Sequence, residues 1–403
     1  NKIEIPESVT EIGIESFGEC AMLTEIKIPS NANIIKSSAF NNCYSLKKIK
    51  IPSLVTKIEQ KTFEGCSSLE EIDIPSSIEK IDENAFNLCF SLTKIAIPIS
   101  VESIGKNSFR FCKSLKQITL FDTTKIYDYA FKTCLSLEKV EFIPTGNQVS
   151  EGKIGKYAFS SCISLKSITI PSCIKIIEEG VFSECTSLND IKLPESLLTI
   201  EKCAFSGCTS LAQIIIPNGV TTIKEATFKD CKSLNEIKMS DLVTKIGINA
   251  FNNCISLVHI TIPKNVQIID VYAFNRCTFL TDIKIPDSVE KIHNYAFLRC
   301  SSLKEIEIPQ LVKLIGKSAF ERCTSLEKIT IPPTVERILS NAFYKCKSLK
   351  KFDISTSLKE IGCFAFYGCF SLSEIVIPSN IEEIGVGAFS RCTSLKKIIL
   401  PSS

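Results

Sequence analysis

Histidine is almost missing from this 403-residue chain; only His259 and His293 occur. Two imidazoles with no indicated convergence leave nothing from which to build a Ser/His/Asp or Cys/His set. The metalloprotease pattern H-E-x-x-H, the phosphate loop G-x-x-x-x-G-K-[ST] and the nucleophile elbow G-x-S-x-G are absent too. Gly385 and Gly387 in "EEIGVGAF" only resemble part of a glycine loop. No C-x-x-C pair exists despite 20 cysteines, which removes the usual spacing of structural zinc. No apolar run approaches the roughly 18 residues of a membrane-spanning helix. Neither sign of charge dominates: 47 basic and 44 acidic side chains leave +3. That balance makes no electrostatic case for nucleic acid or an anionic membrane. There is no tryptophan and no N-x-[ST] sequon. An enzyme, a metalloprotein and a cofactor carrier are therefore not expected, and no cofactor is assigned.

What the chain does have is a repeat. One cysteine recurs at Cys20, Cys43, Cys66, Cys89, Cys112, Cys134, Cys162, Cys185, Cys208, Cys231, Cys254, Cys277, Cys300, Cys323, Cys346, Cys369 and Cys392. Every gap is 23 residues except 22 before Cys134 and 28 before Cys162. Phe stands three before each of these cysteines and Leu three after, and the unit reads AF-x-x-C-x-S-L-x-x-I-x-I-P-x-x-V-x-x-I. The L-x-x-I-x-I segment has the period of two expected of a strand with one buried face. In "NAFNLCFSLTKIAIP", Leu92, Ile95 and Ile97 point inward, Lys94 and Ala96 outward, and Pro98 ends the strand because it has no N–H for a ladder. Val101 and Ile104 are spaced for a second short strand or extended turn. The A-F-x-x-C-x-S-L stretch, with apolar residues three apart, reads as a helical turn or irregular corner.

About eight side chains per unit face inward. One unit cannot bury enough surface to offset its own ordering, but stacked units cover each other's faces. The expected fold is one continuous repeat solenoid over residues 1–403 of about 17 rungs, with a strand on the concave face and a short strand plus helical turn on the convex side.

The same stacking decides what the cysteines are. A column diverges along an axis, whereas zinc needs four converging ligands. Neighbouring Cβ atoms about 4.8 Å apart are wider than the roughly 3.5–4.5 Å of a disulfide. The seventeen column cysteines are read as small buried hydrophobes filling a narrow corner. Cys173, Cys203 and Cys363 fall outside the column and are expected to be the exposed or reactive thiols.

The segments "IPSSIEKIDENAFNLCFSL", "IPDSVEKIHNYAFLRCSSL" and "IPSNIEEIGVGAFSRCTSL" resemble the BspA-like leucine-rich repeats, also called the Treponema pallidum type. The resemblance covers essentially the whole chain. It implies a leucine-rich-repeat solenoid, non-enzymatic, associated with cell surfaces, adhesion and protein–protein binding. It carries over no ligand-contacting residue.

Variable strand positions supply the candidate surface. Lys47, Lys48 and Lys50 form a basic rung, followed directly by the acidic Glu70, Glu71 and Asp73; Lys350, Lys351, Lys396 and Lys397 add basic spots further on. No aromatic residue stands at any of these positions, so stacking on bases or sugars lacks support, and a charged strip suits a protein partner. Ile215, Val376 and Ile399 interrupt the strip. Aromatics gather instead near the corner, as Tyr129, Tyr157, Tyr272, Tyr295 and Phe364 before the repeat Phe and Tyr44, Phe90 and Phe370 after the Cys. They read as core edge or as a lateral interaction stripe.

The irregular stretch is 121–157. Phe121 stands where Pro is usual, and the following rung carries five extra residues. An insertion in a solenoid maps to an exposed loop, making Thr145, Asn147, Gln148, Glu151 and Lys153 candidate contacts and this rung the expected bend.

The chain opens with "NKIEIP" and closes with "KKIILPSS" without capping sequences. It reads as a fragment of a longer chain, and its uncovered rungs suggest end-to-end or lateral self-association. The expected function is a non-enzymatic protein-interaction module, surface-associated or secreted and adhesin-like, with no direct membrane insertion. The alternative is an intracellular structural scaffold in a larger assembly. The family resemblance favours a surface location; the abundant thiols and missing sequons favour a reducing compartment.

Overall fold

In the computed structural model, residues 2–146, 151–352, 354 and 356–399 are described. They form two compact units, Asn1–Leu197 and Leu198–Ser403. Each unit is a parallel-strand solenoid whose turns recur every 23 residues outside the irregular stretch.

Two parallel ladders run through each unit. In the first unit Lys2–Glu4, Glu25–Lys27, Lys48–Lys50, Glu71–Asp73 and Lys94–Ile95 make one five-stranded sheet. In the second, Glu305–Glu307, Lys328–Thr330, Lys351–Phe352, Glu374–Val376 and Lys397–Ile399 make its counterpart. Every strand is two to five residues long, because alternation lasts only from Leu to the proline. The other ladder is built from the V-x-x-I pieces as two-residue strands, such as Lys80–Ile81 and Ser103–Ile104.

The rung ending at Cys112 buries Leu92, Ile95, Ile97, Val101, Ile104, Ser108, Phe109 and Cys112, the eight inward positions its pattern predicts. Lys94 and Ala96 are exposed, as alternation requires. The repeat phenylalanines stack on their neighbours with ring centroids 5.1 Å apart for Phe86–Phe109 and 5.5 Å for Phe320–Phe343. The column continues through the irregular rungs: Phe109–Phe131 is 5.2 Å and Phe131–Phe159 is 5.3 Å. Length changes are taken up outside the core.

The expected helical turn is not there; no helix occurs among the described residues. The corner is a run of tight turns, and two residues in each repeat hold it. The residues five and one before the column Cys are left-handed in all seventeen repeats; Asn84 has φ 58° and Leu88 φ 64°. Left-handed residues every four positions interrupt a right-handed helix. The backbone N–H groups divide accordingly. Ala85, Asn87 and Cys89 donate to carbonyls three residues back. Asn84, Phe86 and Leu88 donate to Lys106, Ser108 and Arg110 of the next rung at 2.9, 2.7 and 3.0 Å. The corner is thus a third inter-rung ladder in all but name, which an α-helix, closing every N–H on itself, could not supply.

The 121–157 irregularity has a clear local cause. With Phe121 replacing proline, the strand keeps its N–H and runs on as Gln117–Phe121, paired residue for residue with Lys139–Ile143. The extra residues lengthen a strand pair before they make a loop.

Candidate functional site

The exposed edge of the strand ladder in the first unit forms a groove of about 840 Å³. Its charged walls are Glu25, Lys27, Lys48, Lys50, Glu71 and Asp73, and its floor is Ile26, Ile49 and Ile72. Parallel register sets Glu25 beside Lys48, Lys48 beside Glu71 and Glu71 beside Lys94, so charge alternates from rung to rung. Lys48 Nζ lies 2.8 Å from Glu71 Oε1. Their hydrogen bond holds the ammonium above its ordinary value and the carboxyl below it. Both side chains are about two-thirds exposed, so the pair is screened and breaks cheaply for a competing charge.

Four of the six residues singled out here line the groove. Lys47 and Glu70 are exposed but stand one residue ahead of the strands, outside it. The C-terminal lysines are placed differently. Lys350 Nζ pairs with Glu327 at 2.5 Å, Lys351 stands in register with Lys328 and Glu374, and Lys397 with Glu374. Lys396 is exposed beside Lys397.

A second groove of about 550 Å³ lies in the second unit. Asp282, Asp287, Glu305 and Glu307 face Lys284 and Lys328 there. All but Asp287 occupy the same repeat positions as Lys48 and Lys50 of the first groove and were legible rung by rung. His259 Nδ1 lies 2.8 Å from Asp282 at the exposed surface of that ladder, and His293 stands beside the other ladder.

The inserted loop needs a correction. Thr145 is half-buried rather than offered to solvent. Its N–H and hydroxyl both donate to Asp122 Oδ1, at 3.0 and 2.8 Å. It anchors the loop. Glu151 and Lys153 are exposed and line a small cleft of about 310 Å³ with Lys125, Tyr127, Lys175 and Glu178. Lys153 Nζ sits 4.7 Å above the Tyr127 ring. Asn147 and Gln148 lie outside the described residues.

A second correction concerns Cys173. It is 8 % exposed, not a surface thiol, and burial with Asp122 nearby pushes its pKa up. A Cβ on Gly152 would sit 2.6 Å from its sulfur, so the loop packs directly over it. Cys203 and Cys363 are half-exposed. The column cysteines are buried except Cys20 and Cys392, which are half-exposed. Their thiols also do more than fill space: Cys89 Sγ donates to the Phe63 carbonyl at 3.2 Å, and Cys300 Sγ to Phe274 at 3.1 Å. Burial raises the Cys43 thiol to about 11 and pushes Cys66 and Cys300 well above the ordinary thiol value. A thiol held protonated is a poor nucleophile.

Of the corner aromatics, Tyr129–Tyr157 and Tyr272–Tyr295 stack on each other at 5.5 and 4.6 Å, while Tyr44, Phe90, Phe364 and Phe370 remain exposed. Among the described residues no helix is long and apolar enough to cross a membrane.

The chain matches the family model described as "BspA type Leucine rich repeat region (6 copies)" over residues 1–116, 34–152, 152–281 and 267–396. A leucine-rich repeat protein from Bacteroides ovatus is 30% identical over 100% of this chain and 92% of its own, with a TM-score of 0.67. A leucine rich cell surface protein from Faecalibacterium prausnitzii is 26% identical over 91% of this chain and 90% of its own, with a TM-score of 0.44. The T. pallidum leucine rich repeat protein is 26% identical over 52% of this chain and 77% of its own, with a TM-score of 0.35. No curated protein sequence matches the chain.

Proposed function

Because this chain belongs to the BspA-type leucine-rich repeat family, we propose that it is a protein-binding module, surface-associated or secreted, that grips an extended charged segment of a partner in the Lys48–Asp73 groove. Repeat solenoids of this family are generally protein-interaction scaffolds, and the finer reading rests on one observation. The ladder alternates Glu25, Lys48, Glu71 and Lys94 across successive rungs, and the first three line the groove with Lys50 and Asp73 beside them. A partner strand with complementary alternation exchanges weak, solvated pairs for the same pairs across an interface, gaining register at little desolvation cost. Glu151 and Lys153 supply a second contact beside the cleft. The family association supports the adhesin-like placement.

The test is a binding titration of the purified chain against extracellular matrix proteins, with Lys48→Glu/Lys50→Glu as the paired variant. Salt-sensitive binding lost in the variant supports the reading. Binding to none of them, or binding that the variant leaves unchanged, overturns it.

The rival reading is an intracellular scaffold. Twenty cysteines without a disulfide and the absence of sequons favour it. Labelling intact cells of the source organism with a membrane-impermeant amine reagent separates the two, since only a surface protein is tagged.

A further inference from the structure

The chain has only six arginines, and four of them stand at one repeat position, directly before the column Cys. They are Arg276, Arg299, Arg322 and Arg391, and Lys345 fills a fourth rung of the series between Arg322 and Arg391. Gly368 is the single gap. In the first unit the same position holds no cation: Glu19, Asn42, Gly65, Leu88, Phe111, Thr133, Ser161 and Glu184. The two units differ overall in the same sense. Leu198–Ser403 has 25 basic and 19 acidic side chains, and Asn1–Leu197 has 22 and 25.

The backbone makes these residues a column. The Arg276 N–H donates to Leu298, Arg299 to Glu321, Arg322 to Tyr344, Lys345 to Tyr367 and Gly368 to Ser390, at 2.7 to 2.9 Å. From Arg276 to Lys345 consecutive cations are therefore one rung apart, about 4.8 Å, and Arg391 lies two rungs beyond Lys345. Arg276 and Arg391 are exposed and the other three half-exposed. Glu321, 3.7 Å from Arg322, is the carboxylate that borders the column from the preceding position. Like charges stacked at this spacing repel, and neither folding nor solubility asks for arginine in particular. An oxyanion ligand does, because the guanidinium fork matches two oxygens at once.

We propose that this column is a binding site for a linear sulfated polysaccharide lying along the corner of the second unit. Three features choose that polymer. A linear sugar chain advances by close to a rung per ring, so an oxyanion on each ring meets a cation on each rung from Arg276 to Lys345. A polymer charged only on alternate sugars leaves every second cation unpaired. An extended acidic peptide presents side chains on one face every ~6.6–6.8 Å, out of step with the rungs. Single-stranded nucleic acid needs open ring faces for its bases. Here Tyr272 stacks on Tyr295 at 4.6 Å and Tyr344 on Tyr367 at 4.9 Å, while Lys345 and Arg391 lie 5.1 and 5.6 Å over Tyr344 and Tyr367. The rings are already occupied and offer edges and hydroxyls.

The experiment measures binding of a heparin octasaccharide to the full chain across a salt series. Hyaluronate of equal length and a charge-matched single-stranded oligonucleotide are run beside it. Arg276→Gln/Arg299→Gln/Arg322→Gln should weaken heparin binding by roughly tenfold or more and lower the salt slope by about three. Lys291→Gln/Lys313→Gln/Lys359→Gln removes the same charge away from the column and should leave affinity within about twofold. Arg→Lys at the three positions keeps charge and packing and should still bind more weakly than wild type, which guards against a misfolded Gln variant. Gly368→Arg fills the gap and should tighten binding; its Cβ meets nothing closer than Lys345 Cγ at 3.4 Å, in a backbone conformation that non-glycine residues hold on the neighbouring rungs. Equal losses in the two Gln variants overturn the proposal, as does a lysine variant equal to wild type. Absence of heparin binding at physiological salt, or an oligonucleotide or hyaluronate that binds as tightly, also overturns it.

Discussion

The two units have the same interior and different exteriors. Phe109 and Phe297, Cys112 and Cys300, Leu115 and Leu303 are all fully buried in equivalent places. Outside, the first unit has a charge-alternating groove, an anchored insertion and no cation before its column cysteines. The second has an acidic groove and an arginine column. The interior columns are repetitive because each side chain must fit the copy of itself one rung away. A surface residue answers only to solvent and to whatever it binds. In a repeat protein the differences between rungs therefore carry the function, and the constancy carries the fold.

The largest test of this equivalence is alkaline. Buried column thiols such as Cys43, Cys112, Cys254 and Cys346 have folded pKa values raised above the unfolded value of about 8.5. A raised folded pKa gives stability that is complete below the unfolded pKa and is lost as pH rises towards the folded one. Each buried thiol then costs about 1.4 kcal/mol per pH unit above roughly 8.5. Melting followed by circular dichroism should fall steeply between about pH 9 and 11, with hydrogen exchange rising in both units alike; a flat profile, or loss confined to one unit, breaks the equivalence.

Next in size, Phe109→Ala and Phe297→Ala should each cost about 3–5 kcal/mol, since each removes a ring from a stacked and fully buried column. Denaturant titrations that give the same loss in both units sharpen the comparison, and a large disparity would show that one interior is looser.

A smaller effect belongs to the first unit alone. Asp122→Ala removes the acceptor of two Thr145 hydrogen bonds and should cost about 1–3 kcal/mol. It should also open Cys173 to a thiol reagent in the native protein, which mass spectrometry of labelled peptides would detect. If Cys173 reacts as readily in wild type as Cys363, the loop does not cover it.

The smallest effect has the opposite sign. Lys61 is left-handed at φ 59° and half-buried. Lys61→Gly should stabilise by about 0.5–1 kcal/mol, the relief of a non-glycine left-handed residue less the chain entropy glycine adds. A thermal shift towards lower temperature would mean that this corner carries no backbone strain.

Much of this was readable in advance. Alternation from Leu92 to Ile97 identified the strand and its buried face because side-chain direction has a period of two whatever the surroundings. The 23-residue spacing identified the stack because one rung cannot bury its own apolar face. The choice between a helical turn and an irregular corner stayed open because spacing by three is shared by a helix and by successive tight turns. Nothing in Glu15, Lys61 or Tyr129 announces a left-handed residue; only inter-rung hydrogen bonding selects it. Of the candidate site, alternation made the exposure of Lys48, Lys50, Glu71 and Asp73 legible but not the groove they line, whereas Thr145 and Cys173 turned inward. Their environment is made by Asp122, one rung before Thr145, and by Gly152 of the inserted stretch, and neither is visible within a single rung.

By itself the sequence determined that this protein is a stacked repeat, which positions face inward and how charge varies from rung to rung, because all three follow from local periodicity. Tertiary structure alone decided the conformation of the corner and the fate of the inserted residues. Those depend on which backbone groups find partners on the neighbouring rung, and no single rung contains that information.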